Sequence, residues 1–103
     1  MNSASVSSTP SDFSSDPEAL LPIEAAAQLA RMPRHFVLIC CQHGLVAPQH
    51  DPAEGGYYFS RHAVRALQRI EYLRTNCGVN LAGIEMIMKL MADVEELRAT
   101  VRR

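Results

Sequence analysis

The sequence contains no tryptophan, only three cysteines and no long apolar run. An odd number of cysteines without an export signal argues against the disulfide framework of a small secreted domain. No segment approaches the roughly 20 apolar residues that a membrane-spanning helix needs. The first residues also lack the basic start and the apolar core of a secretory signal. These absences predict a cytoplasmic protein without a membrane span, whose thiols are reduced.

An excess of charge of one sign is also missing. The chain has 10 lysine and arginine residues against 11 acids, a formal net charge of −1. The distribution is uneven, because the stretch from Pro22 to Asn80 carries six arginines and four acids. A protein that neutralises several DNA phosphates normally has a larger excess of positive charge than this. The balance is therefore weak support for nucleic-acid binding and does not exclude it.

The first residues of the chain differ in composition from the rest. Residues 1–17 are mostly serine, threonine, asparagine, aspartate and proline, with a few apolar residues. Such a segment buries too little apolar surface to offset the entropy lost when it is ordered. We predict a disordered tail over residues 1–17 and one domain over residues 18–103.

No constellation of residues indicates catalysis. The chain has no glycine-rich phosphate loop and no nucleophile motif, so we predict neither an enzyme nor a cofactor. A metal site built from Cys40, Cys41, His43 and Cys77 is conceivable. However, no Cys-x-x-Cys or His-x-x-x-His spacing supports it, and structural zinc sites usually show one. Packing of Cys40 and Cys41 inside an apolar helix is the preferred interpretation, with no metal.

The most informative stretch runs from Tyr57 to Arg98 and predicts a short strand, a helix, a turn and a second helix. Ser60 and Asn80 are helix-capping residues, and Gly78 permits the left-handed conformation that ends a helix. Apolar residues recur at steps of three and four along both helices. On the first helix they are Ala63, Val64, Leu67, Ile70 and Leu73. On the second they are Leu81, Ile84, Ile87, Met88, Met91, Val94, Leu97 and Val101.

The preceding stretch predicts a helix-turn-helix followed by a wing. Pro22 and Pro33 suit the first turns of two short helices, and Gly44 suits the end of the second. The extended residues 45–48, a loop over residues 49–56 and the returning residues 57–59 then predict a two-stranded wing.

Three motifs carry a family resemblance: Gly44-Leu45 followed by Pro48, then Tyr58-Phe59-Ser60, then the segment of residues 79–84, Val-Asn-Leu-Ala-Gly-Ile. Over residues 21–102 the chain resembles the MerR-like winged helix-turn-helix proteins. Within them it is similar to the chaperone modulator (CbpM) branch and to HspR-type regulators. The resemblance implies a mainly α fold with a short two-stranded wing and a long C-terminal helix.

Departures from the family pattern favour a protein-binding module. MerR-type DNA binders usually carry an arginine and aromatic residues where Leu38, Ile39 and Cys40 align, and we expect no arginine on this helix to complete a DNA footprint. The resemblance then implies a co-chaperone modulator that binds the J-domain of a DnaJ-like (CbpA) protein and inhibits it. A basic J-domain helix would be met by acidic and apolar groups. The candidates are Met86, Asp93, Glu95 and Glu96, with Asp51 and Glu54 in the wing.

The alternative function is a MerR/HspR-like dimeric DNA-binding transcriptional regulator. Arg61, Arg65 and Arg69 lie at i, i+4 and i+8 and would share one helix face, where they could contact phosphates. The other interpretation is a solvated face, with Arg65 and Arg69 paired to acids such as Glu71 on neighbouring turns or to the last helix. A short heptad-like pattern from Ile84 onward also makes a homodimer plausible.

Overall fold

The computed structural model describes residues 19–102 except 51, 52 and 54. The predicted tail over residues 1–17 lies outside this range, and so do Asp51 and Glu54. The elements follow in the order β1 (Leu20–Pro22), α1 (Ile23–Ala30), α2 (Arg34–Gln42), β2 (Gln49–His50), β3 (Tyr57–Ser60), α3 (Arg61–Thr75) and α4 (Leu81–Arg102). The prediction of a mainly α fold with a long last helix is confirmed. No helix in the described range is long and apolar enough to cross a membrane.

The chain divides into two compact units, with the boundary between Gln68 and Arg69 inside α3. The first unit holds the sheet, α1, α2 and the first half of α3. Small side chains let α1 pack closely, because Ala26, Ala27 and Ala30 are all buried. Its other buried apolar residues are Ile23, Met32, Val37, Cys40, Val46, Phe59, Ala63, Val64 and Leu67.

The sheet is antiparallel with strand order β1-β3-β2. Leu20 pairs with Ser60 and Pro22 with Tyr58 on one side of β3, while Gln49 pairs with Tyr58 on the other side. The prediction of two strands was therefore incomplete. Residues 20–22 form a third strand, and Pro22 stands one position before the helix instead of inside its first turn. The first wing strand is Gln49–His50, which the sequence placed in the loop.

Helix α3 begins where the sequence predicted. The backbone N–H of Ala63 donates to Ser60 Oγ at 3.1 Å, so the hydroxyl caps the helix. The predicted apolar stripe is confirmed: Ala63, Val64, Leu67 and Ile70 are buried and Leu73 is half-buried. Gln68 Nε2 also donates to the Leu29 carbonyl at 3.3 Å, which ties this part of α3 to α1.

The second unit contains the end of α3, a turn and α4. Gly78 has φ +66°, as its predicted role at the helix break requires. Asn80 caps α4 by accepting from the Gly83 N–H at 2.8 Å. The predicted stripe on α4 is only partly packed, because Ile84 is buried while Val94, Leu97 and Val101 are exposed. The last eleven described residues, 92–102, are all exposed.

Candidate nucleic-acid interface

Helices α1 and α2 form a helix-turn-helix with a tight three-residue turn. Arg31 adopts the left-handed conformation with φ 61°, and the N–H groups of Arg31 and Met32 donate to the carbonyls of Gln28 and Ala27. Met32 is buried under the turn. Pro33 then fixes φ at −65° immediately before α2. This turn presents the first residues of α2 to solvent.

The N-terminal end of α2 is exposed to solvent. Arg34 and His35 are exposed, whereas Val37 and Cys40 are buried. The expectation that α2 carries no arginine was wrong, since Arg34 is its first residue. Leu38 and Ile39 are half-buried. Cys40 packs in the core, so its identity carries no information about DNA contact.

A groove of about 720 Å³ separates α2 from the wing. Across its rim, Arg34 Nε lies 3.5 Å from Glu24 Oε2. Both side chains are largely exposed, at 61% and 71%, so this ion pair contributes little to stability. The groove is lined by Pro22, Ile23, Glu24, Arg34, Leu38, Cys41, Gln42, Pro48, His50, Gly55, Gly56, Tyr57 and Tyr58.

The wing is built around an aromatic cross-strand pair. His50 and Tyr57 are register partners, and their rings meet edge-to-face with centroids 4.5 Å apart. Such a pair adds stability beyond the area that it buries. Gly55 has φ +72°, which suits glycine at the return of the loop. The part of the wing that the structure describes contains no lysine, arginine, aspartate or glutamate.

Three arginines lie on one side of α3. In the first unit Arg65 is exposed and Arg61 is half-buried; Arg69 is exposed at the start of the second unit. The predicted pairing of Arg65 and Arg69 with Glu71 was wrong. Arg74 holds Glu71 through a bidentate contact, with Nη2 at 3.0 and 3.1 Å from the two carboxylate oxygens. Within the described residues, Arg65 makes no ion pair.

Helix α4 carries a second candidate surface. Met86 is 66% exposed, and Asp93, Glu95 and Glu96 are exposed as well. An exposed apolar stripe lies on the same helix, and it includes Leu90, which the sequence prediction missed. The stripe consists of Leu90, Val94, Leu97 and Val101. These residues follow one another at steps of four, three and four, which is the spacing of a helix-pairing seam.

The three thiols have different environments. Cys40 is buried, Cys41 is half-buried and Cys77 is exposed. Partial burial raises the pKa of the Cys41 thiol by desolvating its thiolate. The described residues contain no group of three or more His, Cys, Asp or Glu side chains arranged to hold a metal ion. Within the first unit, Cys40, Cys41 and His43 form no such group.

The chain is similar in sequence to known helix-turn-helix regulatory proteins. The family model for MerR HTH regulatory proteins matches residues 21–103. "Putative heat shock protein HspR" of Streptomyces coelicolor is 34% identical over 77 residues, which are 75% of this chain and 50% of the relative. The chain thus spans about half the length of that relative.

A solved structure shares the fold. It is HiNmlR, described as a MerR family regulator lacking the sensor domain and bound to promoter DNA. It matches with a TM-score of 0.64 and 18% identity, over 81% of this chain and 64% of that chain. At this identity the likeness shows the fold alone. The predicted winged helix-turn-helix is confirmed.

Proposed function

Because the chain belongs to the MerR family of helix-turn-helix regulatory proteins, we propose that it is a dimeric, DNA-binding transcriptional regulator without catalytic activity of its own. The observation that carries this proposal is the exposed first turn of α2, with Arg34 and His35. In helix-turn-helix proteins the N-terminal residues of the second helix reach base edges in the major groove. An arginine there is suited to a bidentate contact with guanine.

Helix α3 supplies a second arginine for the proposed contact with DNA. Arg65 is exposed and makes no ion pair within the described residues, so its guanidinium is available for a phosphate. Phosphate contacts fix the register of a protein on DNA without reading sequence. Arg34 and Arg65 therefore have different proposed tasks: Arg34 reads bases and Arg65 positions the protein on the DNA.

Helix α4 supports the proposed dimer. Its last eleven described residues are exposed, and an isolated helix of that length is marginally stable in water. The stripe formed by Leu90, Val94, Leu97 and Val101 is suited to burial against the same stripe of a second copy. Dimerisation would give two α2 helices, as a two-fold symmetric operator requires.

The test is a selection from a library of random-sequence duplex DNA, followed by affinity measurements on the enriched sequence over a range of salt. Arg34→Gln should weaken binding and relax the preference at one position, a cost of about 1–3 kcal/mol. Arg65→Gln should weaken binding to all sequences and reduce the salt slope by about 0.9. Arg74→Gln is the control, because it also removes one arginine but from a side chain that holds Glu71. Absence of any enriched sequence would refute the proposal.

The groove beside α2 favours a second candidate, the co-chaperone modulator of the CbpM type. Leu38, Tyr57 and Tyr58 give this groove apolar and aromatic walls, which are enriched in protein-binding sites rather than in phosphate contacts. In this function a J-domain of a DnaJ-like protein would be the partner. Its proposed contacts are one of two faces: Met86, Asp93, Glu95 and Glu96 on α4, or Asp51 and Glu54 in the wing.

A pull-down with a purified J-domain separates this candidate from the first. Reversing charge with Glu95→Lys and Glu96→Lys should weaken the complex, because like charges would then face a basic partner. The charge-neutral variant, Glu95→Gln with Glu96→Gln, should weaken the complex less, because it removes the attraction without adding repulsion. Failure of the unmodified chain to retain the J-domain would exclude the co-chaperone function and leave DNA binding.

A further inference from the structure

Two apolar side chains follow the polar first turn of α2. Leu38 comes four residues after Arg34, and Ile39 comes four residues after His35. Residues four apart are neighbours on a helix surface, so each apolar side chain lies one turn beyond an exposed polar one. Leu38 and Ile39, which we call the apolar pair, therefore continue the surface that begins with Arg34 and His35.

The apolar pair keeps part of its surface open to solvent. Both of its residues are half-buried, whereas Val37 and Cys40 of the same helix are fully buried. Leu38 also lines the groove beside the wing, as Arg34 does. The core of the first unit is thus packed against Val37 and Cys40, and the apolar pair has surface that a partner can cover.

The charge of α2 suits an anionic partner. The helix contains no aspartate or glutamate, and its first residue is Arg34. Glu24, whose carboxylate lies 3.5 Å from Arg34, belongs to α1, and this exposed ion pair is weak enough to be exchanged for a contact with a base. The apolar pair therefore extends a basic surface of α2 that matches the charge of DNA.

The major groove of DNA offers one apolar group to such a pair, the 5-methyl group of thymine. A leucine or isoleucine side chain forms no hydrogen bond with a base edge, but it can remove this methyl group from water. Four residues of a helix advance about 6 Å, and successive base pairs of DNA are about 3.4 Å apart. The apolar pair would therefore lie within about two base pairs of a base that Arg34 contacts.

We propose that the apolar pair contacts thymine methyl groups in the DNA half-site, within about two base pairs of the guanine that Arg34 reads. This inference rests on the proposed function, because it names the bases that the same helix would recognise. It also gives a role in DNA binding to two positions at which the family's arginine and aromatic residues are replaced. The contact there is apolar instead of charged.

Replacing thymine by deoxyuridine tests the contact with the unmodified protein, because deoxyuridine lacks only the methyl group. Each thymine of the sequence enriched by the selection is replaced in turn, and the affinity of the chain for each duplex is measured. Affinity should fall about three- to fivefold at one or two positions, as expected for the loss of one buried methyl group. If no replacement lowers the affinity, or if the half-site has no thymine near the guanine, the inference is wrong.

Two variants identify the side chains that make the contact. In Leu38→Ala or Ile39→Ala, the difference between thymine and deoxyuridine should shrink to less than about twofold, because the apolar contact is then missing from both duplexes. Leu29→Ala is the control, since it also shortens a half-buried leucine but on α1, and it should keep the full difference. A difference that persists in both α2 variants would assign the preference to DNA shape and overturn the inference.

The proposed function and this inference fail in different ways. If the selection enriches no sequence, the chain does not read DNA and both proposals are refuted. If a sequence is enriched but thymine and deoxyuridine bind equally, DNA binding stands and only the methyl contact is refuted. If Leu38→Ala lowers retention of a J-domain and leaves DNA affinity unchanged, the apolar pair serves a protein contact and the inference is wrong.

Discussion

The side chain of Asn80 caps α4 by accepting a hydrogen bond from the Gly83 N–H at 2.8 Å. Asn80→Ala should lower the free energy of unfolding by about 1 kcal/mol, because this N–H then lacks its partner in the protein. Asn80→Ser is the control, since a serine oxygen also caps. Chemical denaturation of the three proteins measures the difference, and equal midpoints for the alanine variant and the parent would contradict the cap.

Gly83 itself should resist replacement by alanine, although it lies in a helix. A Cβ there would lie 2.7 Å from Val79 Cγ1 and 3.2 Å from Asn80 Oδ1. Helix propensity alone predicts that Gly83→Ala raises the free energy of unfolding by up to about 1 kcal/mol. Because of the clash, we expect this free energy to fall instead. Combining it with Val79→Ala removes the nearest atom and should recover part of the gain, because Asn80 Oδ1 remains at 3.2 Å. Thermal unfolding of the single and double variants distinguishes the two effects.

Replacing Gly78 should destabilise the protein for a different reason. No atom beyond its two neighbours in the chain lies within 4 Å of where a Cβ would be, so only its φ of +66° opposes a side chain. Gly78→Ala should cost about 1 kcal/mol, and Gly78→Asn should cost less because asparagine tolerates this conformation better. If the alanine variant unfolds at the same denaturant concentration as the parent, the positive φ is not retained in solution.

The proposed dimer depends on the exposed stripe of α4. Leu90→Glu with Leu97→Glu should weaken dimerisation on the order of 100-fold, because like charges would meet in an apolar seam. Ala92→Glu with Ala99→Glu adds the same charge outside the stripe and should leave the dimer intact. Sedimentation velocity over a range of concentrations reports the assembly state. A parent chain that stays monomeric throughout that range would disprove the interface.

The thiols should react with iodoacetamide in a fixed order. Cys77 is exposed, Cys41 is half-buried and Cys40 is buried, so Cys77 should react first and Cys40 only on unfolding. Because burial raises the pKa of Cys41 above its usual value of 9.0, its reactive thiolate is scarce at neutral pH, and its labelling rate should still increase above pH 9. Mass spectrometry of quenched samples gives the order. Fast labelling of Cys40 in the folded chain would contradict its place in the core.

Local signals in the sequence predicted the parts of the fold that depend on neighbouring residues. Ser60, Gly78 and Asn80 act within three residues of their own positions, and the structure places each in its predicted role. Strand β1 depends instead on pairing between Leu20 and Ser60, forty residues apart. Such a pairing leaves no periodic pattern in a three-residue strand, so the sequence could not reveal it.

The candidate site was harder to predict than the fold. Whether a residue of α2 faces solvent depends on where the helix begins, and the structure begins it at Arg34. Arg34 was overlooked because the resemblance places the family's arginine in the middle of the helix, near Leu38. The predicted packing of Cys40 inside the helix is confirmed. Leu90 was missed because the apolar pattern was counted from the buried Ile84. The a/d spacing that begins at Ile87 would have revealed it.

Ser60 is both the last residue of β3 and the cap of α3, so no residue separates the wing from the helix. The backbone of Ser60 pairs with Leu20 in the sheet, while its hydroxyl accepts from the first turn of α3. One residue therefore joins the sheet to the helix that carries Arg61 and Arg65, and replacing its side chain would disturb the start of that helix at the point where it leaves the sheet.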